Sequence, residues 1–399
     1  MKKVTLFVLL VMLVSACTPQ SGNSNSSPEI SSSIPRDMEP AVPSGNLEKL
    51  VKGNTSFGIN LFQAVKQGDE NLIFSPYSIS VALAMAQAGA KDNTLQQMNA
   101  VLRFSLPVED LHPAFNALQL ELNNRENNDY EEGKKDFELN IVNSIWGEKT
   151  YTFLPGYLDL LAKNYGAGLR LADFILQPDA SRKEINQWVS DQTNDRIQDL
   201  LPENSITELT RLVLTNAIYF KASWLHQFDP GMTQNGVFTL LNGEDVQVPM
   251  MHQTETFGYA SQDGYQLISL PYEGNKLSML IILPDENNFT QVEKAMSGLD
   301  VQNLVSSISF AQLDLSMPKF KIESSIGLAD HLNAMGMKDA FIPGIADFSG
   351  MDGTHDLYIS AVQHKAFIEV DETGTEAAAA TAVVVGIESM PIDEPLKVN

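Results

Sequence analysis

Few residues in this sequence could do chemistry, and none falls at a spacing that assembles a reaction. The six histidines, His112, His226, His252, His331, His355 and His364, are scattered with no second ligand at metal-site spacing. Each reads as a structural or solvated imidazole. The single cysteine, Cys17, has no second thiol for a disulfide or a shared metal. No serine stands between glycines as G-x-S-x-G, no H-E-x-x-H occurs, and no glycine-rich loop ends in Gly-Lys-Ser/Thr. "YGAGLR", Tyr165 to Arg170, has two glycines at dinucleotide spacing and lacks the third. These absences argue against an enzyme and imply neither a cofactor nor a metal.

Composition narrows the partners. With 26 Lys plus Arg against 50 Asp plus Glu, the net charge of -24 repels phosphate backbones, so nucleic acid is excluded as a partner. The 399 residues are 43% hydrophobic, enough for a large core. Two lysines followed by the apolar run Val4–Ala16, too short to span a bilayer comfortably, read as a secretion signal. The run closes with "LVSAC", similar to a bacterial lipoprotein box, a resemblance that implies a 1–17 signal peptide with Cys17 as the acylated residue; the alternative is an ordinary signal peptide with a chance cysteine. The expectation is a chain secreted across the cytoplasmic membrane and anchored at the cell surface, touching the membrane only through that lipid. Residues 18–45, rich in Ser, Asn and Pro, read as a disordered tether, and 46–399 as the folded domain.

Within the body, "FSPYSISVALAMAQAGA" predicts a buried helix with Ser75 as cap, Pro76 at the first position and Gly89 as stop. "SRKEINQWVSDQTNDRI" predicts an amphipathic helix on Ile185, Trp188, Val189 and Ile197. Strands are predicted at "FELNIVNSIW", "RLVLTNAIYF", "YQLISLPY", "KLSMLIILP" and "LYISAVQHKAFIEV". Mostly helices followed by mostly strands suggests α+β with one large sheet. Near the carboxyl end, "DETGTEAAAATAVVVGIES", Asp371 to Ser389, joins an alanine run that favours helix to a valine run that favours strand. Local propensity leaves its state open.

Four long motifs in order, "LTNAIYFKASWLHQFDP", "LPYEGNKLSMLIILP", "MPKFKIESSIGLADHLNAMGM" and "DETGTEAAAAT", resemble the serpin family of serine protease inhibitors, and the resemblance runs from about Asn46 to the end. It implies the serpin fold, with helices around a large central, mostly antiparallel sheet and an exposed reactive loop at about 372–394. It also implies a monomer that acts as a suicide substrate of a serine protease or, less favoured, a cysteine protease. The protease cleaves the loop, and the freed loop inserts into the sheet and traps the acyl-enzyme. Glu372 resembles the hinge glutamate that pairs with the lysine matched by Lys319, and Gly374 the pivot. Thr375, Glu376, Ala377, Ala378, Ala379, Ala380 and Thr381 complete the hinge, small and free of proline as an inserting strand requires. Ser75, Ser78, Asn216 and His364 match the polar cluster where the sheet opens, and Trp224 the tryptophan where insertion begins.

Counting from Glu372 at the usual family spacing puts the reactive bond between Glu388 and Ser389, which suits a Glu-accepting protease, while the preceding "AVVVGI" suits an elastase-like one. One departure stands out: after "EPLKVN" the two last barrel strands of the family are not in this sequence. It therefore reads as truncated at its carboxyl end. Alternative readings are a non-inhibitory serpin-fold binding protein or an inactive fragment.

Overall fold

The computed structural model describes residues 28–126, 137–298, 300–375 and 395–398. The signal segment with Cys17, residues 18–27 of the expected tether, the loop residues Glu376 to Thr381 and the bond between Glu388 and Ser389 lie outside the described residues.

Four helices open the body: α1 (Asn46–Val65), α2 (Pro76–Gln87), α3 (Asp92–Leu102) and α4 (Val108–Glu126). As its sequence predicts, α2 starts on Ser75, whose hydroxyl accepts from the Ser78 amide, and carries Pro76 in its first turn. From Ser78 to Gln87 every residue is buried, because α2 lies between the other helices and the main sheet. Two more helices follow, α5 (Pro155–Tyr165) and α6 (Pro178–Gln192). The second stops five residues short of the predicted Ile197. Asn194 and Asp195 take positive φ, which these short polar side chains tolerate, and the chain turns there. Ile197 is buried all the same, delivered by a loop and not by a helix face.

Four short helices follow, α7 (Phe289–Ala295), α8 (Val301–Ser306), α9 (Ala329–Met335) and α10 (Ser349–Asp352), and the described residues hold thirteen strands: β1 (Glu29–Ile30), β2 (Phe137–Glu148), β3 (Leu169–Ala172), β4 (Leu212–Ser223), β5 (Gln234–Thr239), β6 (Asp245–Gln262), β7 (Tyr265–Pro271), β8 (Ser278–Pro284), β9 (Ser309–Pro318), β10 (Phe320–Gly327), β11 (Ile359–Val370), β12 (Gly374–Thr375) and β13 (Leu396–Val398). They form two sheets where the sequence suggested one. The main sheet runs β1-β3-β2-β4-β12-β11-β10, mostly antiparallel, with parallel pairs at β2–β3 and β4–β11. The second runs β13-β9-β6-β7-β8, with β5 paired to β6.

Alternation along β4 assigns its faces. Leu212 and Leu214 join the core under α2, and Ala222 joins the core between the two sheets. Val213 and Ala217 point the other way, toward α6 and the loop after it. The main sheet is therefore covered on both faces at its centre.

Residues 28–45 correct the expected tether boundary. β1 pairs antiparallel with β3, Glu29 opposite Arg170 and Ile30 opposite Leu169. The Glu29 carboxylate accepts from Arg170 at 2.5 Å, and that guanidinium lies over the Trp188 ring at 4.7 Å. Further on, Arg36 donates to Asn116 and Gln119, and the Asp37 amide to the Lys163 carbonyl. Such a segment escapes a composition argument because it is held by backbone pairing and ion pairs, which need little apolar surface.

Candidate functional site

The site is a seam, the border between β4 and β11. Direct parallel pairing begins at Leu212 opposite Ile359 and ends at Ile218 opposite Ala366. Beyond that point the strands part, and β12 stands between them. Gly374 pairs with Ser223, and Thr375 with Ala222 on one side and Val370 on the other.

A tight reversal brings β12 into that slot. The Asp371 carboxylate accepts from the Thr373 amide and hydroxyl and from the Gly374 amide, and the Asp371 amide returns a bond to the Gly374 carbonyl. Gly374 is required by close approach, since a Cβ there would come within 2.0 Å of the Ala222 carbonyl oxygen.

Around this reversal the predicted residues converge. Lys319 donates to Glu372 at 2.6 Å, and the Thr233 hydroxyl to its other oxygen at 2.7 Å. Burial opposes ionisation of Glu372, yet these hydrogen bonds outweigh it and hold the carboxyl below its ordinary range. Trp224 donates from Nε1 to the Asp371 carbonyl and stacks on Tyr272, rings 4.7 Å apart at 8°. Tyr272 shares a 2.8 Å hydrogen bond with the fully buried Thr375 hydroxyl, and burial pushes its phenol up to about 12. Tyr272 and Thr233 were not singled out from the sequence. Tyr272 lies inside the quoted "LPYEGNK", but nothing local tells that its hydroxyl meets a residue 103 positions away.

Lower on the seam, the inner face carries a polar cluster in apolar surroundings. Asn216 of β4 donates to Ser78 and to Asn143 of β2, and its Oδ1 meets His364 Nδ1 across the seam. The Ser75 amide donates to His364 Nε2 at 3.1 Å. Because Nε2 accepts, Nδ1 carries the proton and donates to Asn216, so the ring fits this place only as the neutral tautomer. Burial pushes the His364 pKa down to about 3. Ser75, Ser78, Asn216 and His364 thus form one connected group, with Asn143 added by the structure. Lys319, Trp224, Glu372, Gly374 and Thr375 form the second, at the open end.

Among the described residues no cluster of three or more His, Cys, Asp or Glu is arranged to hold a metal ion. What the arrangement can do is mechanical. A slot with one strand's opening residues already seated can accept the residues that follow, provided the cross-seam bonds below give way.

Comparison with known proteins agrees with this geometry. Residues 52–399 match the family model described as Serpin (serine protease inhibitor). The chain is 41% identical over 345 residues to the leukocyte elastase inhibitor of Xenopus tropicalis, covering 84% of this chain and 89% of that protein. It is 37% identical over 401 residues to an uncharacterized serpin-like protein of Thermococcus kodakarensis, covering 98% and 91%. Among solved structures, the native state of the thermophilic serpin tengpin superposes with a TM-score of 0.79 at 29% identity, covering 94% of this chain and 93% of that one.

Proposed function

The chain belongs to the serpin family, a family of serine protease inhibitors and not of enzymes, and from that premise we propose that it traps a serine protease by loop insertion. The observation that carries this reading is the seating of Gly374 and Thr375 between β4 and β11 while the seam below stays closed.

The protease serine oxygen adds to the Glu388 carbonyl carbon and the Glu388–Ser389 amide breaks. The Ser389 nitrogen takes up a proton and leaves, and an ester to Glu388 remains. The released loop then extends β12. Continuing the register from Thr375 opposite Ala222 brings Glu376 opposite Lys221 and Thr381 opposite Asn216. Ala377, Ala379 and Thr381 then face inward, small enough for the space between the strands. About ten further residues add roughly ten backbone hydrogen bonds at about 1 kcal/mol net each, a driving force large enough to carry the tethered protease along. A displacement of about 1 Å in the protease's catalytic geometry costs on the order of a hundredfold in deacylation.

Targets accepting glutamate or small aliphatic residues fit "VVVGIE", and the similarity to an elastase inhibitor supports the second class. Acylation of Cys17 would hold the inhibitor at the cell surface.

The test mixes the chain lacking residues 1–17 with elastase-like and Glu-cleaving serine proteases on a denaturing gel. A stable band near the summed masses, with a released peptide beginning at Ser389, is expected. A nicked chain beside fully active protease would overturn the inhibitory reading.

A further inference from the structure

Away from the seam, a cavity of about 610 Å³ opens between α1, the end of α3 and the short turn Met296–Gly298 that follows α7. Three cations line it, Lys49 and Lys52 of α1 and Arg103, the residue that closes α3, and among the described residues no carboxylate does. In a chain with 50 Asp plus Glu against 26 Lys plus Arg, that balance reverses the balance of the whole. All three are exposed, and among the described residues none of them makes an ion pair.

Local stability does not call for this arrangement. Lys49 and Lys52 stand three residues apart on one face of α1, where like charges repel, and Lys49 lies in the first turn, where the helix dipole disfavours a cation. The backbone then brings in the third charge. A Cβ at Gly53 would come within 2.5 Å of the Arg103 carbonyl oxygen, so α3 ends directly against α1 and its cation joins the two lysines. The remaining wall supplies uncharged donors. Asn99 has its Oδ1 occupied by Gln87 Nε2 at 2.8 Å, which leaves its amide hydrogens to offer, and the Ser105 hydroxyl adds another.

We infer that this cavity binds a small molecule carrying a phosphate or diphosphate group. Two ammonium groups and a guanidinium on one concave wall give charge-assisted hydrogen bonds to phosphate oxygens, the guanidinium in a two-pronged fork. A bare phosphate would leave most of the volume empty, so there is room for the carrier of the group, beside the buried ring of Phe104. None of the lining residues belongs to the seam, and the site stands whether or not the loop inserts.

The full chain is titrated with inorganic pyrophosphate in a calorimeter, with sodium chloride of equal ionic strength as the reference. One saturable site is expected. Lys52→Gln and Arg103→Gln should each weaken it about tenfold, and Arg103→Lys should recover only part of that loss. Lys183→Gln, outside the cavity on α6, should stay within about twofold of the wild type. The replaced side chains are exposed, so thermal midpoints without pyrophosphate should match the wild type. Vesicles of phosphatidylglycerol and phosphatidylcholine separate the two sources of the group. Co-sedimentation that Arg103→Gln abolishes and pyrophosphate competes away assigns it to a lipid headgroup; pyrophosphate binding without co-sedimentation assigns it to a soluble molecule. A titration that does not saturate, an equal signal from sodium chloride, or binding unchanged in both Lys52→Gln and Arg103→Gln would overturn the site.

Discussion

Strand β4 has two borders. Toward β2 it makes an antiparallel ladder from Phe137 opposite Ala222 to Gly147 opposite Leu212 without a break in register. Toward β11 it makes a shorter parallel ladder that slips between Ile359 and Ala361 and stops at Ala366. Parallel pairs are slightly the weaker per residue, and here the cross-strand partners include the polar pair Asn216 and His364. The same strand thus has a long, regular border on one side and a shorter, interrupted one on the other, the border that the proposed mechanism opens. A sheet can be stable as a whole and still carry one line along which it parts, if the ladder on that line is shorter and less regular than its neighbours.

The comparison can be broken most completely at the open end. Thr375 is fully buried between Ala222, Val370 and Tyr272, so Thr375→Arg places a charge where none can be solvated. Complex formation should fall by at least about a hundredfold, with nicked chain in its place on a denaturing gel. On the β2 border, Ile145→Ala removes a fully buried side chain and should cost about 2–5 kcal/mol in denaturant unfolding. The ratio of complex to nicked chain should not move. A shift in that ratio would mean the two borders are coupled.

Acid addresses the β11 border. The folded His364 pKa lies near 3, below the ordinary value of 6.5, so the unfolded chain binds more protons as pH falls. The contribution is complete above about pH 6.5 and is lost as pH drops toward 3. By pH 5 the loss should be on the order of 2 kcal/mol, seen as a lower thermal midpoint. His112, held near 4 by burial, adds to the same decline, so His364→Gln should flatten it only in part. The smallest effect belongs to Lys319→Met. Its side chain is about one-third exposed, so losing the bond to Glu372 should cost less than about 1 kcal/mol, with a slight loss of trapping efficiency on the gel.

Much of this was legible in the sequence where signals are local. The cap and buried face of α2 were read from Ser75, Pro76 and an apolar run, and the pairing of Glu372 with Lys319 from motif resemblance. Strand β6 was not read, because a strand that passes from solvent into the core changes its pattern of polar and apolar residues on the way. The end of α6 was misread because Ile197 keeps helical spacing while Asn194 and Asp195 turn the backbone. Contacts such as Tyr272 with Thr375, 103 residues apart, leave no trace in either neighbourhood. The seating of β12 was hidden for the same reason, since backbone pairing has no side-chain signature.

Strand β1 has a bearing on behaviour in a crowd. If the sheet accepts a strand as proposed above, strands of neighbouring copies compete for the same pairing, and an open flank would let copies join into chains. Here β1 lies along β3 and, among the described residues, presents outward the short stretch Glu29–Ile30, with a carboxylate in it. That flank is blunted, while the opposite edge of the sheet is the longer β10. Stripped of residues 28–45, the protein should remain able to fold but become harder to keep in solution at high concentration.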